Sequence, residues 1–215
     1  MRIFLDTANI EQLRKAARLG VVSGVTTNPT LIAKEGADHQ ATIKEICSII
    51  PGPVSAEVTG EEVGAMVEQA RDIAKLASNV VVKIPATVAG LEATSVLSKD
   101  GIKVNLTLVF SVNQALLGAL AGATYVSSFV GRLDDIGNDG MEVVRDIVEV
   151  LDHYQLPTQV IAASIRHPQH CVAAARVGAH IATVPYDVLM QMIRHPLTDT
   201  GVARFLADWR KVSQK

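Results

Sequence analysis

At 215 residues the chain suits one domain, and 48% hydrophobic against 20% charged residues excludes a disordered composition. Twenty Lys plus Arg against 22 Asp plus Glu give a formal net charge of −2, and aromatics stand at 4%, so no nucleic-acid surface is expected. No apolar run approaches the roughly 18 residues of a membrane span, and the first residues lead straight into a strand without a signal peptide, so a cytoplasmic protein without a membrane partner is expected.

Short β-branched runs alternate with longer helical patterns along the whole chain. The first run, 2–5, is followed by an amphipathic helix. The second, 22–25, ends in Thr27-Asn28-Pro29, a strand end with Pro at a first helical position. Run 54–58 precedes a helical stretch at 61–77, and run 80–84 follows it. Run 103–109 leads to a helix at 112–121, run 125–129 to one at 141–154, and run 159–162 to one at 168–177. The eighth run is 180–184. Gly20, Gly101, Gly122 and Gly178 each stand where a helix ends in a left-handed residue before the next strand.

Eight alternating units in this length predict parallel strands with helical crossovers closed into a single-domain (β/α)8 TIM barrel spanning 1–215. The runner-up, a doubly wound sheet, lacks a Gly-rich dinucleotide turn after any strand. Beyond the eighth unit, residues 197–215 hold an additional C-terminal helix, about 199–212. Val202, Phe205, Leu206 and Trp209 form an apolar face on it, which packs either on its own barrel or on another subunit. Cys47 and Cys171 share no motif and read as free buried thiols.

Side chains alternate between the faces of a strand, so i and i+2 share a side. Thr26 with Asn28, Asn105 with Thr107, Ser127 with Phe129, and Ser164 with Arg166 are such pairs near strand ends. Asp6, Glu57 and Lys83 end or nearly end the first, third and fourth strands. In a barrel these ends converge on one mouth, where barrel enzymes keep their sites.

Lys83, in VVVKIP, is costly to bury as a charge. It forms either an ion pair with Asp6 or Glu57 or a Schiff-base amine. Lysine ordinarily titrates near about 10.4, and burial in enzyme sites brings such groups to roughly 7–8, which supplies free amine to attack a ketone. The proton traffic of such chemistry points to Asp6 and Glu57, the latter through a water held also by Thr107; Asp6 is otherwise a helix cap. Arg132 and Arg166, with the Ser164 hydroxyl, suit an anionic group such as phosphate. Arg132 has Asp134 and Asp135 as alternative partners. His167 and His170 lack a third ligand at metal spacing and read as a surface pair. The Asn105-Leu106-Thr107 sequon lies in a strand and is a chance match.

Taken together and in order, LDTAN, GVTTNPTL, AEV, VVVKIP, NLTLVFS, FVGRLDD and AASIRHP resemble the small transaldolases, in the wider family that includes fructose-6-phosphate aldolase. The resemblance runs from Arg2 to Trp209. It implies a (β/α)8 barrel without cofactor or metal. It also implies transfer of dihydroxyacetone from sedoheptulose 7-phosphate to glyceraldehyde 3-phosphate, giving erythrose 4-phosphate and fructose 6-phosphate. By resemblance Lys83 forms the Schiff base, Asp6 moves the proton at the breaking bond, and Glu57 and Thr107 hold a catalytic water. Asn28 and Asn105 bind dihydroxyacetone hydroxyls with Thr26 and Ser127 beside them, and Arg132, Ser164 and Arg166 take the phosphate of the sugar substrates.

The short members form pentamers and paired pentamers with the last helix reaching a neighbour, so a homo-oligomer is implied. The aldolase branch carries Gln where this chain has Glu57 and Tyr where it has Phe129, and both differences favour transfer over hydrolytic release. Ser128 stands where many relatives have Pro, which would loosen the loop presenting Phe129 and Arg132. The alternatives are an aldolase releasing free dihydroxyacetone and a non-catalytic sugar-phosphate binder.

Overall fold

The computed structural model of the protein describes residues 1–36 and 38–212. The strands β1 (Arg2–Asp6), β2 (Val22–Thr26), β3 (Val54–Glu57), β4 (Val80–Pro85), β5 (Val104–Val109), β6 (Tyr125–Phe129), β7 (Gln159–Ala163) and β8 (Ile181–Val184) pair in chain order. Every pairing is parallel, and β1 closes on β8, so the expected barrel forms. The crossovers are α1 (Ile10–Ala17), α2 (Pro29–Glu35), α3 (His39–Ile49), α4 (Val63–Ala74), α5 (Val88–Lys99), α6 (Val112–Leu120), α7 (Val130–Asp134), α8 (Gly140–His153) and α9 (Pro168–Arg176). After β8 come α10 (Tyr186–Ile193) and α11 (Pro196–Val212).

Local signals account for the helix starts. Asn9, Asn28, Asp38, Thr87, Ser111 and Asp139 each accept a backbone N–H of the first turn, as N-cap side chains do. Pro29 opens α2 as expected, and the four glycines named from sequence all take positive φ, from +70° to +94°. The C-terminal helix begins earlier than expected, at Pro196, and the final residues 213–215 of that expectation lie outside the described residues. None of α11 is buried: Leu197, Phe205 and Trp209 are each about 70% exposed, so its apolar face is not laid on its own barrel. Among the described residues no helix is long and apolar enough to cross a membrane. Cys47 and Cys171 are buried free thiols, and burial pushes the Cys47 thiol up to about 11.

The core has two parts. The larger fills the space between the strands and the helices, with Leu5, Val25, Val54, Val82, Leu106, Val126, Val160 and Val184 among its members. The smaller is a plug of Phe4, Val81, Tyr125, Ile161 and Ile181, with Phe4 edge-on to Tyr125 at 6.4 Å. These residues come from five strands, and two positions further along the same strands stand Asp6, Lys83, Ser127, Ala163 and Thr183. Period-two alternation puts both sets on one face, so the apolar plug becomes the floor of whatever the second set lines.

On β2 the equivalent floor position is Gly24. A Cβ there would meet the Phe4 ring at 2.5–2.7 Å, so Gly24 makes room for the largest plug residue. Gly24→Ala should therefore destabilise the barrel by about 1–3 kcal/mol through overpacking, read as a lower midpoint in denaturant at unchanged slope.

Candidate active site

A cavity of about 130 Å³ lies over the plug, lined by Asp6, Thr26, Asn28, Lys83, Ser127, Phe129, Arg132, Ala163, Ser164 and Thr183. A second depression of about 410 Å³ adjoins it across Asn28, Lys83, Phe129 and Arg132, and adds Glu57, Thr107 and Leu108. Among the described residues Lys83 is the one lysine on either wall. It is 6% exposed, and its Nζ donates to Glu57 Oε2 at 2.9 Å and to the Thr27 carbonyl at 3.2 Å. The pair follows from register, because Glu57 and Lys83 are direct partners across β3 and β4. Of the two carboxylates considered from sequence, Glu57 is the one that bonds the ammonium.

Asp6 does not cap a helix; that place belongs to Asn9. Its Oδ1 accepts from Thr26 Oγ1 at 2.8 Å, and Thr26 Oγ1 lies 2.6 Å from Thr183 Oγ1. Since the Thr26 proton goes to Asp6, Thr183 is the donor in that second bond. Burial pushes the Asp6 carboxyl above its ordinary value. The Thr26 hydrogen bond and the Lys83 charge pull it back, and Glu57 pushes it further up. The outcome is a carboxyl with a raised proton affinity facing the same cavity as a buried amine.

Asn105 is placed differently from expectation. It is fully buried, lines neither cavity, and its carboxamide is engaged on both sides, donating to Ser55 Oγ at 3.1 Å and accepting from Ser127 Oγ at 2.8 Å. It orients Ser127, which does reach the cavity, rather than presenting itself there. Asn28 uses its carboxamide oxygen to cap α2 through Leu31 N, at 2.9 Å, and its amide nitrogen is the atom that can donate to a ligand. Thr107 is fully buried with its hydroxyl unpaired among the described residues, at the wall that also holds Glu57.

Arg132 pairs with neither Asp134 nor Asp135. Its guanidinium lies 4.9 Å from the centre of the Phe129 ring, which also packs on Phe110 at 5.7 Å. Arg166 stands further from the cavity. Its guanidinium bonds Asp135 at 2.7 Å, it is half exposed, and it lines neither cavity. Ser128 is not in a loop; it is buried within β6, paired with Val109 and Ala162, so it does not loosen the approach to Phe129. His170 pairs with His167 as expected, with ring centroids 3.8 Å apart, but its side chain is only 14% exposed and also bonds Asp134.

Sequence reasoning passed over Ser55, Thr183 and Leu108. The first two carried a usable signal, since each is a small polar residue in an aliphatic strand, and Ser55 stands two before Glu57. Leu108 carried none. It takes φ +57° where the β5–β6 register slips between Leu106 and Val109. With Ser164 at φ +58°, it places a left-handed non-glycine residue on each of two cavity-lining strand ends. Such residues cost about 1–3 kcal/mol and gather at ligand sites.

Residues 3–215 match the family model described as transaldolase/fructose-6-phosphate aldolase. The chain belongs to that family. It is 65% identical over 216 residues, covering all of both chains, to a protein of Dehalococcoides mccartyi named probable transaldolase. A probable transaldolase of Thermoanaerobacter sp. is 58% identical over the full length of both. One of Methanococcus maripaludis is 57% identical over 97% of each. Among solved structures, thiamine phosphate pyrophosphorylase from Pyrococcus furiosus superposes with a TM-score of 0.58 at 17% identity, over 86% of this chain and 85% of that one. That likeness concerns the barrel alone.

Proposed function

We propose that the protein is a transaldolase that moves a dihydroxyacetone unit from sedoheptulose 7-phosphate to glyceraldehyde 3-phosphate through a Schiff base on Lys83. The observation that carries this reading is a buried lysine on a cavity wall with Glu57 at 2.9 Å and the proton-avid Asp6 on the same cavity. Glu57 takes a proton from the Lys83 ammonium, and the free amine adds to the ketone carbonyl. The carbinolamine loses water to give an iminium. Asp6 then removes the proton from the hydroxyl on the far carbon of the bond to be broken, the carbon that becomes the aldehyde. That bond's electrons flow to the iminium nitrogen, an aldehyde leaves, and an enamine remains. Addition to the acceptor aldehyde and hydrolysis of the new iminium run these steps in reverse.

Glu57 and the Thr107 hydroxyl, facing one depression, suit a water used in carbinolamine formation and loss. Thr26, Asn28 and Ser127 are the groups for the dihydroxyacetone hydroxyls, with Asn105 supporting Ser127 from behind. Phe129, held between Phe110 and Arg132, brings no hydroxyl to activate water, which supports transfer over release. Arg132 and Ser164 are the phosphate groups already on the cavity wall, and Arg166 joins them by exchanging Asp135 for phosphate. Arg132→Ala should raise KM for fructose 6-phosphate at least tenfold, roughly the worth of one charge-assisted hydrogen bond, while Arg166→Ala should give a smaller rise.

A product assay with fructose 6-phosphate, with and without erythrose 4-phosphate, tests the reaction. Sedoheptulose 7-phosphate formed only with the acceptor supports transaldolase; steady release of dihydroxyacetone without it would mean an aldolase.

We further propose a homo-oligomer in which the face of Val202, Phe205 and Leu206 on α11 is covered by a neighbouring copy. These three are 52%, 74% and 53% exposed in the single chain, a cost in apolar surface that a neighbour removes. Phe205→Asp should lower the mass seen in sedimentation equilibrium, and an unchanged mass would remove α11 from the interface.

A further inference from the structure

Two loops carry the groups read as the phosphate site. One runs from Phe129 through α7 and presents Arg132; the other follows β7 and presents Ser164 and Arg166. They meet backbone to backbone at Gly131, whose N–H donates to the Ser164 carbonyl at 3.2 Å. A Cβ on Gly131 would run into that carbonyl and into the Arg166 side chain. Only a glycine allows this approach.

His170, on the first turn of α9, has one ring nitrogen on each loop. Its Nδ1 accepts from the Arg166 backbone N–H at 3.3 Å, and its Nε2 lies 3.2 Å from Asp134 Oδ2. Because Nδ1 accepts, the ring is neutral with its proton on Nε2, and that proton goes to Asp134. The other Asp134 oxygen accepts from Gly140 N at 3.0 Å, which ties the far end of the same loop. Burial, then the neighbouring His167 and Arg166, hold the imidazole below its ordinary value against the pull of Asp134, in keeping with the neutral form. The other side-chain link, Arg166 to Asp135, joins two groups more than half exposed and is worth little. The shielded clasp is therefore His170.

We propose that His170 is a positioning residue that locks the Arg132 loop to the Ser164–Arg166 loop and so sets the spacing of the phosphate groups. This rests on the phosphate reading given above. His170 lines neither cavity and acts only through Asp134 and the Arg166 backbone. Losing it lets the two loops shift apart while the lysine and carboxylates on the strand ends stay in place.

The test uses the full-length enzyme and two substrates that differ in phosphate. His170→Ala should raise KM for fructose 6-phosphate about tenfold, with kcat within about twofold. The half-saturation for borohydride trapping of free dihydroxyacetone, which carries no phosphate, should stay within about twofold of wild type. Asp134→Asn, which keeps an oxygen for Gly140 N but sets a donor against Nε2, should show the same split and serves if the alanine variant does not fold. An equal rise for both substrates would mean a general loosening and overturn the proposal, as would no change in either. Arg132→Ala is run beside them. If it leaves KM for fructose 6-phosphate untouched, the phosphate reading itself fails, and a His170 effect would then need another cause.

Discussion

Lys83→Met should yield no borohydride-stable adduct with fructose 6-phosphate, and turnover should fall by at least about 10⁴-fold, as loss of a covalent nucleophile generally demands. Methionine matches the four-atom stem of lysine without the amine, so the packing around the stem is kept and the loss is chemical. Among the described residues no second lysine lines either cavity, so none of them stands ready to replace it. Intact-mass spectrometry after reduction reads the result directly. The wild type should gain the mass of one reductively bound dihydroxyacetone unit, mapped to the peptide holding Lys83. An adduct on a different lysine, or one that persists in the variant, would remove Lys83 from the chemistry.

Asp6→Asn should form the adduct but slow carbon–carbon cleavage by about 10²–10⁴-fold, the usual contribution of a general acid or base. It should also stabilise the fold at neutral pH. The folded-state pKa of Asp6 is raised above 3.8, chiefly by burial. Between the unfolded value and the raised folded one, the native state binds more protons than the unfolded state. Stability contributed by this group is therefore fully present below pH 3.8 and is lost as pH rises through the folded value. Asparagine cannot ionise and escapes that loss. Thermal midpoints of wild type and variant should differ at pH 7, with the variant higher, and converge as pH falls toward 3.8. A variant less stable than wild type at pH 7 would mean that the Thr26 and Lys83 contacts outweigh burial. Together the two expectations describe a site where function is held at a cost in stability.

Much of the molecule was legible in the residues. Each strand was found as a short β-branched run, and the αL glycines and the Asn28-Pro29 start behaved as their local chemistry requires. Asp6, Thr26, Asn28, Lys83, Ser127, Phe129, Arg132 and Ser164 do share one cavity, because side-chain alternation and strand ends together imply a shared mouth. Where placement differs from expectation, the cause is common. Asn105 obeyed the same alternation, but Ser55 and Ser127 take both ends of its amide below the cavity surface. Arg166 follows a strand end as required, yet Asp135, 31 positions away, holds its guanidinium outside. His170 does pair with His167, their rings 3.8 Å apart, but only folding brought Asp134 beside it as well.

Period and composition thus determined which strands form, that they alternate with helices, and which strand residues face inward, since those depend on backbone geometry within a few residues. Tertiary structure alone decided which inward groups pair. Glu57 rather than Asp6 bonds Lys83 because β3 and β4 are in that register. Thr183 bonds Thr26, which donates to Asp6, because the barrel closes β8 beside β1 and brings Thr183 against Thr26. Such hydrogen bonds act over about 3 Å, and no local pattern specifies which residues distant along the chain will come that close.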